Sequence, residues 1–153
     1  MADTSLNENR LGLLIWQTSN VWQARLRLLL KDYNLSLNEY LILETIYKLK
    51  PTNNTISQVD ISTNSSIDTA VISVKLKNLE SKNLISKLAS FNNRSNRLIL
   101  SEKGNKLINS IIKIIEIEES KIFDKLNEET FNFTNSLKLL LGKKIRIKAK
   151  NYE

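Results

Sequence analysis

The 153-residue chain contains no cysteine and no histidine. Disulfides, thiol redox sensing, imidazole acid–base chemistry and the usual zinc sites are thereby excluded, and most enzyme mechanisms lose their customary participants. Its three glycines, Gly12, Gly104 and Gly142, form no phosphate loop. The acidic cluster Glu116, Glu118 and Glu119 reads as a helix face without the partners that metal binding requires. Neither enzymatic activity nor a metal or cofactor is expected. A single proline, Pro51, and so few glycines leave little to break the chain, which favours long helices. No apolar run approaches the roughly 18 residues that span a bilayer. The first residues, Met1-Ala2-Asp3-Thr4-Ser5, show neither the basic region nor the apolar stretch of a signal peptide. A soluble cytoplasmic protein with no membrane partner is the expectation.

What the chain has in excess is positive charge, +7 in all, unevenly spread. Residues 1–54 sum to +1, residues 55–104 to +3, residues 105–137 to −2 and residues 138–153 to +5. The balance favours a polyanionic partner. Much of it lies in Lys143-Lys144-Ile145-Arg146-Ile147-Lys148-Ala149-Lys150. That segment reads either as a solvated tail or as a contact with nucleic acid or a partner. Docking on anionic membrane is disfavoured by its alternating Ile and Lys.

Ser5-Leu6-Asn7-Glu8 and Ser36-Leu37-Asn38-Glu39 are capping boxes in outline, each followed by a helical apolar pattern. The first predicts a helix over 5–32 with Leu11, Leu14, Ile15, Thr18, Val21, Trp22, Leu26 and Leu29 in a wide stripe. The second predicts a helix over 37–48, ended by the loop at Pro51. Ser57-Gln58-Val59-Asp60 opens a short third helix, and Ser65-Ser66-Ile67-Asp68 repeats the device for a fourth over 67–82. Residues 84–88 and 96–100 read as strands joined by an asparagine-rich turn with Arg94 near its tip. Ser101 caps a helix to about 125 whose isoleucines cover nearly the whole circumference, and a last helix is expected over 127–141.

Two short helices followed by a basic, polar hairpin have the layout of a winged helix-turn-helix, which sets one helix on duplex DNA. The fourth helix suits that task. Ile72, Leu76 and Leu79 share one face, while Ala70, Ser73, Val74 and Lys77 turn the other way. That outward face is small, polar or basic, as a groove about 12 Å wide between phosphates demands. The fold class expected is mainly α with a small β-hairpin wing, a winged helix-turn-helix (35–104) flanked by dimerisation helices (1–34 and 105–153). The long terminal helices exceed what so small a module covers, which predicts a homodimer interlocked through residues 11–29 and 107–141.

This arrangement resembles the MarR family of bacterial transcription regulators over almost the whole chain. The most specific stretch ends in Ser73, Leu76 and then Leu79-Glu80-Ser81-Lys82-Asn83-Leu84-Ile85, similar to the family's Leu-Glu-x-Lys-Gly-Leu-Ile. Asn92-Asn93-Arg94 and Leu98-Ile99-Leu100-Ser101-Glu102-Lys103-Gly104 resemble its Asp-x-Arg and Leu-x-Leu-Thr-x-x-Gly. Three positions depart from the pattern. Asn92 replaces Asp, weakening an acid-to-arginine pairing in the wing. Asn83 replaces Gly, although Asn is the next best residue for a left-handed backbone. Lys75 replaces an apolar residue, which suits a buried stem and an ammonium reaching phosphate.

The residues expected to meet DNA are Thr69, Ala70, Ser73, Val74, Lys75, Lys77, Arg94 and Arg97. Ser73 and Lys77 face base edges or phosphates, Ala70 and Val74 thymine methyls, and Thr69 a backbone phosphate. Arg94 at the wing tip is suited to the narrow minor groove of A·T-rich DNA. For each, the alternative is an ordinary solvated side chain. Asp68 is assigned to capping. The resemblance also implies a small-molecule effector cavity flanked by Trp16, Trp22, Tyr40 and Tyr47, for which a core role is the alternative. The function implied is sequence-specific binding of double-stranded DNA by a homodimeric regulator, a repressor by family analogy. A helical protein-interaction module that keeps the fold without reading DNA is the competing expectation.

Overall fold

The computed structural model describes residues 10–50, 56–88 and 97–147. In order they form α1 (Leu11–Leu30), a 3-10 turn (Lys31–Tyr33), α2 (Leu37–Leu49), α3 (Gln58–Ser65), α4 (Thr69–Ser81), β1 (Ile85–Leu88), β2 (Arg97–Leu100), α5 (Glu102–Phe123), a second 3-10 segment (Asp124–Glu129) and α6 (Thr130–Leu140). The chain divides into two compact units, 1–116 and 117–153, with the boundary inside α5.

Helix starts follow side-chain chemistry. The Ser36 hydroxyl accepts from the Glu39 N–H at 3.2 Å, and the Glu39 carboxylate accepts from the Ser36 N–H at 3.3 Å, closing the predicted capping box on α2. Ser57 and Asp60 do the same for α3 at 3.2 and 2.8 Å. The capping box expected around Ser5 lies outside the described residues. At α4 the expectation is corrected: the helix starts at Thr69, not at residue 67, with Asp68 as its cap, accepting from the Ala70 N–H at 2.8 Å. Ser65 lies too far back for that role: it ends α3, its hydroxyl donating to the Ile61 carbonyl at 2.6 Å and accepting from the Ile67 N–H in the turn, while Ser66 takes a left-handed turn with φ 61°.

The first unit holds a single apolar core. Leu26 and Leu30 of α1, Ile42, Leu43 and Ile46 of α2, Ile61 of α3, Ile72, Leu76 and Leu79 of α4, Leu98 of the hairpin and Ile108 and Ile111 of α5 are all essentially without solvent contact. Each such side chain contributes roughly 1.5–3 kcal/mol by burial. The core thus draws on helices beyond residues 35–104, using the end of α1 and the start of α5. The stripe expected along all of α1 is buried only there, since Leu11, Leu14, Ile15, Trp16 and Val21 remain in solvent. On α5 one chain covers only part of the apolar circumference. Gly104, Ile108, Ile111 and Ile115 form one buried stripe, whereas Ile117 is exposed.

The hairpin is antiparallel, pairing Ile85 with Leu100 and Leu88 with Arg97. The Leu98 N–H donates to the Ile56 carbonyl at 2.9 Å, which holds the strand to the chain before α3. In the second unit α6 begins later than expected, at Thr130, because Asn127 breaks the helical path with φ 46° and ψ −119°. None of α6 is buried within the chain.

Candidate nucleic-acid interface

The site begins with the turn between α3 and α4. Ser62 donates its hydroxyl proton to the Ile67 carbonyl at 2.8 Å, and the Ile67 N–H donates to the Ser65 hydroxyl at 3.2 Å, so the short connection satisfies its own polar groups. Ile61 on α3 and Ile72, Leu76 and Leu79 on α4 fasten both helices to the core. One face of α4 is therefore committed inward. Thr69, Ala70, Ser73, Val74 and Lys77 all stand exposed on the rest of the helix, and Lys75 is half-buried at its margin. The five exposed residues are brought onto a single free surface, with Lys77 its cation and no acid between Asp68 and Glu80.

The far end of α4 is held more firmly than the sequence revealed. Asn83 has φ 58°, and the N–H groups of Asn83 and Leu84 donate to the carbonyls of Glu80 and Leu79 at 2.9 and 3.0 Å. This is a Schellman stop. The Lys82 ammonium lies 2.7 Å from a carboxylate oxygen of the buried Glu39 and donates to the Asn34 carbonyl at 2.6 Å. Asn78 donates its amide to the other Glu39 oxygen at 3.5 Å. Lys87 of β1 lies 3.7 Å from Glu80, so the wing is tied to the same helix. Glu39 and Lys82 were not among the expected site residues. Glu39 was legible as the capping partner of Ser36, but nothing in its neighbourhood points to a cation 43 positions along the chain.

Arg97 sits half-buried at the start of β2, opposite Leu88. Arg94 and Asn92, the wing-tip residues, lie outside the described residues. The four aromatics assigned to an effector cavity do not share one environment. Tyr40 is a core residue, Trp22 and Tyr47 are half-buried against the core, and Trp16 stands 63% exposed on α1. The Tyr47 hydroxyl donates to Asn109 at 3.4 Å. Among the described residues no helix is long and apolar enough to cross a membrane.

A tight helix-turn-helix with an antiparallel hairpin behind it, presenting a small, basic and acid-free helix face, defines a winged-helix protein of the kind that docks on duplex DNA. The family model for the transcriptional regulators SarA and Rot matches residues 26–111, and the chain belongs to that family. The match covers the helix-turn-helix, the wing and the end of α1. Three solved structures show the fold in other proteins. MepR of Staphylococcus aureus, in its complex with DNA, is 21% identical with a TM-score of 0.76 over 89% of this chain and 97% of that one. A MarR-family transcriptional regulator from Rhodococcus sp. RHA1 is 12% identical with a TM-score of 0.80, covering 95% of this chain and all of its own. BpsR of Bordetella bronchiseptica, whose DNA binding is regulated by 6-hydroxynicotinic acid, is 17% identical with a TM-score of 0.76 over 89% and 95%. The mainly helical winged fold expected from the residues is thus the one adopted. Membership in a family of regulators favours DNA binding over the protein-interaction alternative.

Proposed function

We propose that the protein is a homodimeric repressor that reads a pseudo-palindromic promoter site through the outward face of α4, with Arg94 of each wing in the adjoining minor groove. The observation that carries this reading is the division of α4 itself. Ile72, Leu76 and Leu79 are fully buried while Thr69, Ala70, Ser73, Val74 and Lys77 are all exposed, so the helix is rigidly backed and wholly free in front. MepR, which shares the fold, has been captured on DNA.

The dimer is supported by apolar surface that one chain leaves uncovered. Leu11, Trp16 and Leu28 on α1 and Leu139, Leu140 and Leu141 at the end of α6 are each more than 60% exposed. Within the second unit, Phe123, Leu126, Phe133, Leu137 and Leu141 line an open cleft of about 280 Å³. A second copy covers such surfaces economically and sets two α4 helices one DNA turn apart. An effector acts on such a dimer only through different affinities for arrangements that fit or misfit the two half-sites. Trp16, Trp22 and Tyr47 retain ring surface for that contact, and Tyr40 does not.

The test is to incubate the purified protein with fragmented DNA of its own genome at about 150 mM salt, recover what binds and sequence it. Recovery of a few palindromic promoter sites, lost by Arg94→Ala and Lys77→Ala variants that remain dimeric, is the expected result. Uniform recovery, or none, overturns the reading.

A further inference from the structure

Which bases α4 reads follows from what its free face carries and what it omits. In the major groove Arg or Lys pairs with guanine, Asn or Gln with adenine, Asp or Glu with cytosine, and an apolar side chain meets the 5-methyl of thymine. From residue 69 to residue 77 the exposed side chains of α4 are Thr69, Ala70, Val71, Ser73, Val74 and Lys77. No Arg, Asn, Gln or acid is among them. The one amide nearby, on Asn78, is half-buried and turned to Glu39.

Three of those six residues are apolar, and two are valines. Val74 is 58% exposed, although a β-branched side chain is a weaker helix former than alanine, and Val71 stands 37% exposed at the margin of the same face. Ala70 and Val74 stand one helical turn apart, about 6 Å along the axis. That distance is close to two base-pair steps of about 3.4 Å. We infer that Ala70, Val71 and Val74 form an apolar reading edge for thymine methyl groups at neighbouring steps of each half-site, and that methyl contact supplies most of the direct sequence discrimination. The hydroxyls of Thr69 and Ser73 and the ammonium of Lys77 flank this edge and hold it in register on phosphates and base edges. The inference rests on α4 being the recognition helix, and it names what that helix recognises.

The experiment starts by selecting tight-binding duplexes from a random library with the wild-type protein. Each thymine of a selected site is then replaced singly by deoxyuridine, which removes only the methyl group, and affinity is measured by fluorescence anisotropy at fixed salt. Loss of a buried methyl weakens binding about threefold to fivefold. The expected result is a loss of that size at two or more thymines in each half-site. Val74→Ala is expected to bind the unmodified site weaker by a similar factor and to become indifferent to deoxyuridine at one of those positions, keeping its sensitivity at the others. Val74 is exposed and alanine is the better helix former, so the variant's unfolding midpoint stays at or slightly above that of the wild type. If no substitution by deoxyuridine weakens binding, or if the pattern of losses is the same in Val71→Ala and Val74→Ala as in wild type, methyl reading is wrong while the recognition helix stands. Failure to select any duplex removes the recognition helix itself, and the inference with it.

Discussion

Lys82 and Glu39 lock the end of α4 to the start of α2: the ammonium is 2.7 Å from a carboxylate that is itself buried. The same carboxylate closes the capping box with Ser36. For the proposed reading of DNA by α4 such an anchor matters, because a small rotation of the helix would displace every side chain on its outward face.

Removing the cation leaves the Glu39 charge with only neutral donors. Lys82→Ala is expected to lower stability by about 2 kcal/mol, the range for a hydrogen bond to a charged group. Lys82→Met, which keeps the aliphatic stem, is expected to lose nearly as much, and Glu39→Gln less, since the amide still bonds its neighbours. Urea unfolding at fixed protein concentration ranks the three. Equal stability of Lys82→Met and wild type would show that the stem rather than the charge matters.

Gly104 is required by contact, not by backbone angle. A Cβ at this position meets the Leu84 carbonyl, part of the backbone and unable to step aside. Gly104→Ala is expected to cost about 3 kcal/mol, the upper part of the overpacking range. The neighbouring Ser101→Ala removes an acceptor for the Gly104 N–H at 2.9 Å and a donor to the Asn83 carbonyl at 2.7 Å, for a loss of about 1 kcal/mol. Thermal unfolding checks both.

Asn83 occupies the left-handed region, where a Cβ is tolerated least. Asn83→Ala is expected to destabilise the fold by about 1–2 kcal/mol, while Asn83→Gly leaves it unchanged or slightly more stable. The opposite order would remove the Schellman stop as the reason for asparagine here.

The uncovered end of α6 is expected to be an interface. Leu140→Glu, at a position 73% exposed in one chain, does no harm to a monomer but sets a charge into a dimer contact. Sedimentation equilibrium is expected to show dissociation to single chains and, in parallel, at least tenfold weaker binding to the selected duplex. An unchanged mass would place the dimer contact elsewhere.

The winged helix-turn-helix was legible because its signals are local. Ser36 with Glu39 and Ser57 with Asp60 mark two helix starts, the spacing of Ile72, Leu76 and Leu79 assigns the inner face of α4, and Asn83 marks its end. The errors came where local signals compete or where partners are remote. Ser65 looks like a cap for α4 but ends α3 and serves the turn, accepting from the Ile67 N–H, and Asn127 carries no pattern that announces its break in the last helix. The isoleucines of α5 gave its apolar character but not which of them the first unit buries. At the site, the outward face of α4 was readable from periodicity, whereas Lys82 meets Glu39 only through the tertiary fold.

The proposed dimer sets two α4 helices in successive major grooves. With no native cysteine, Thr69→Cys supplies a unique thiol at the exposed start of α4 for a tethered iron chelate that cleaves nearby DNA. On a selected duplex two clusters of cleavage are expected, related by symmetry and about 10 base pairs apart. A single cluster, or cleavage spread evenly along the duplex, would contradict it.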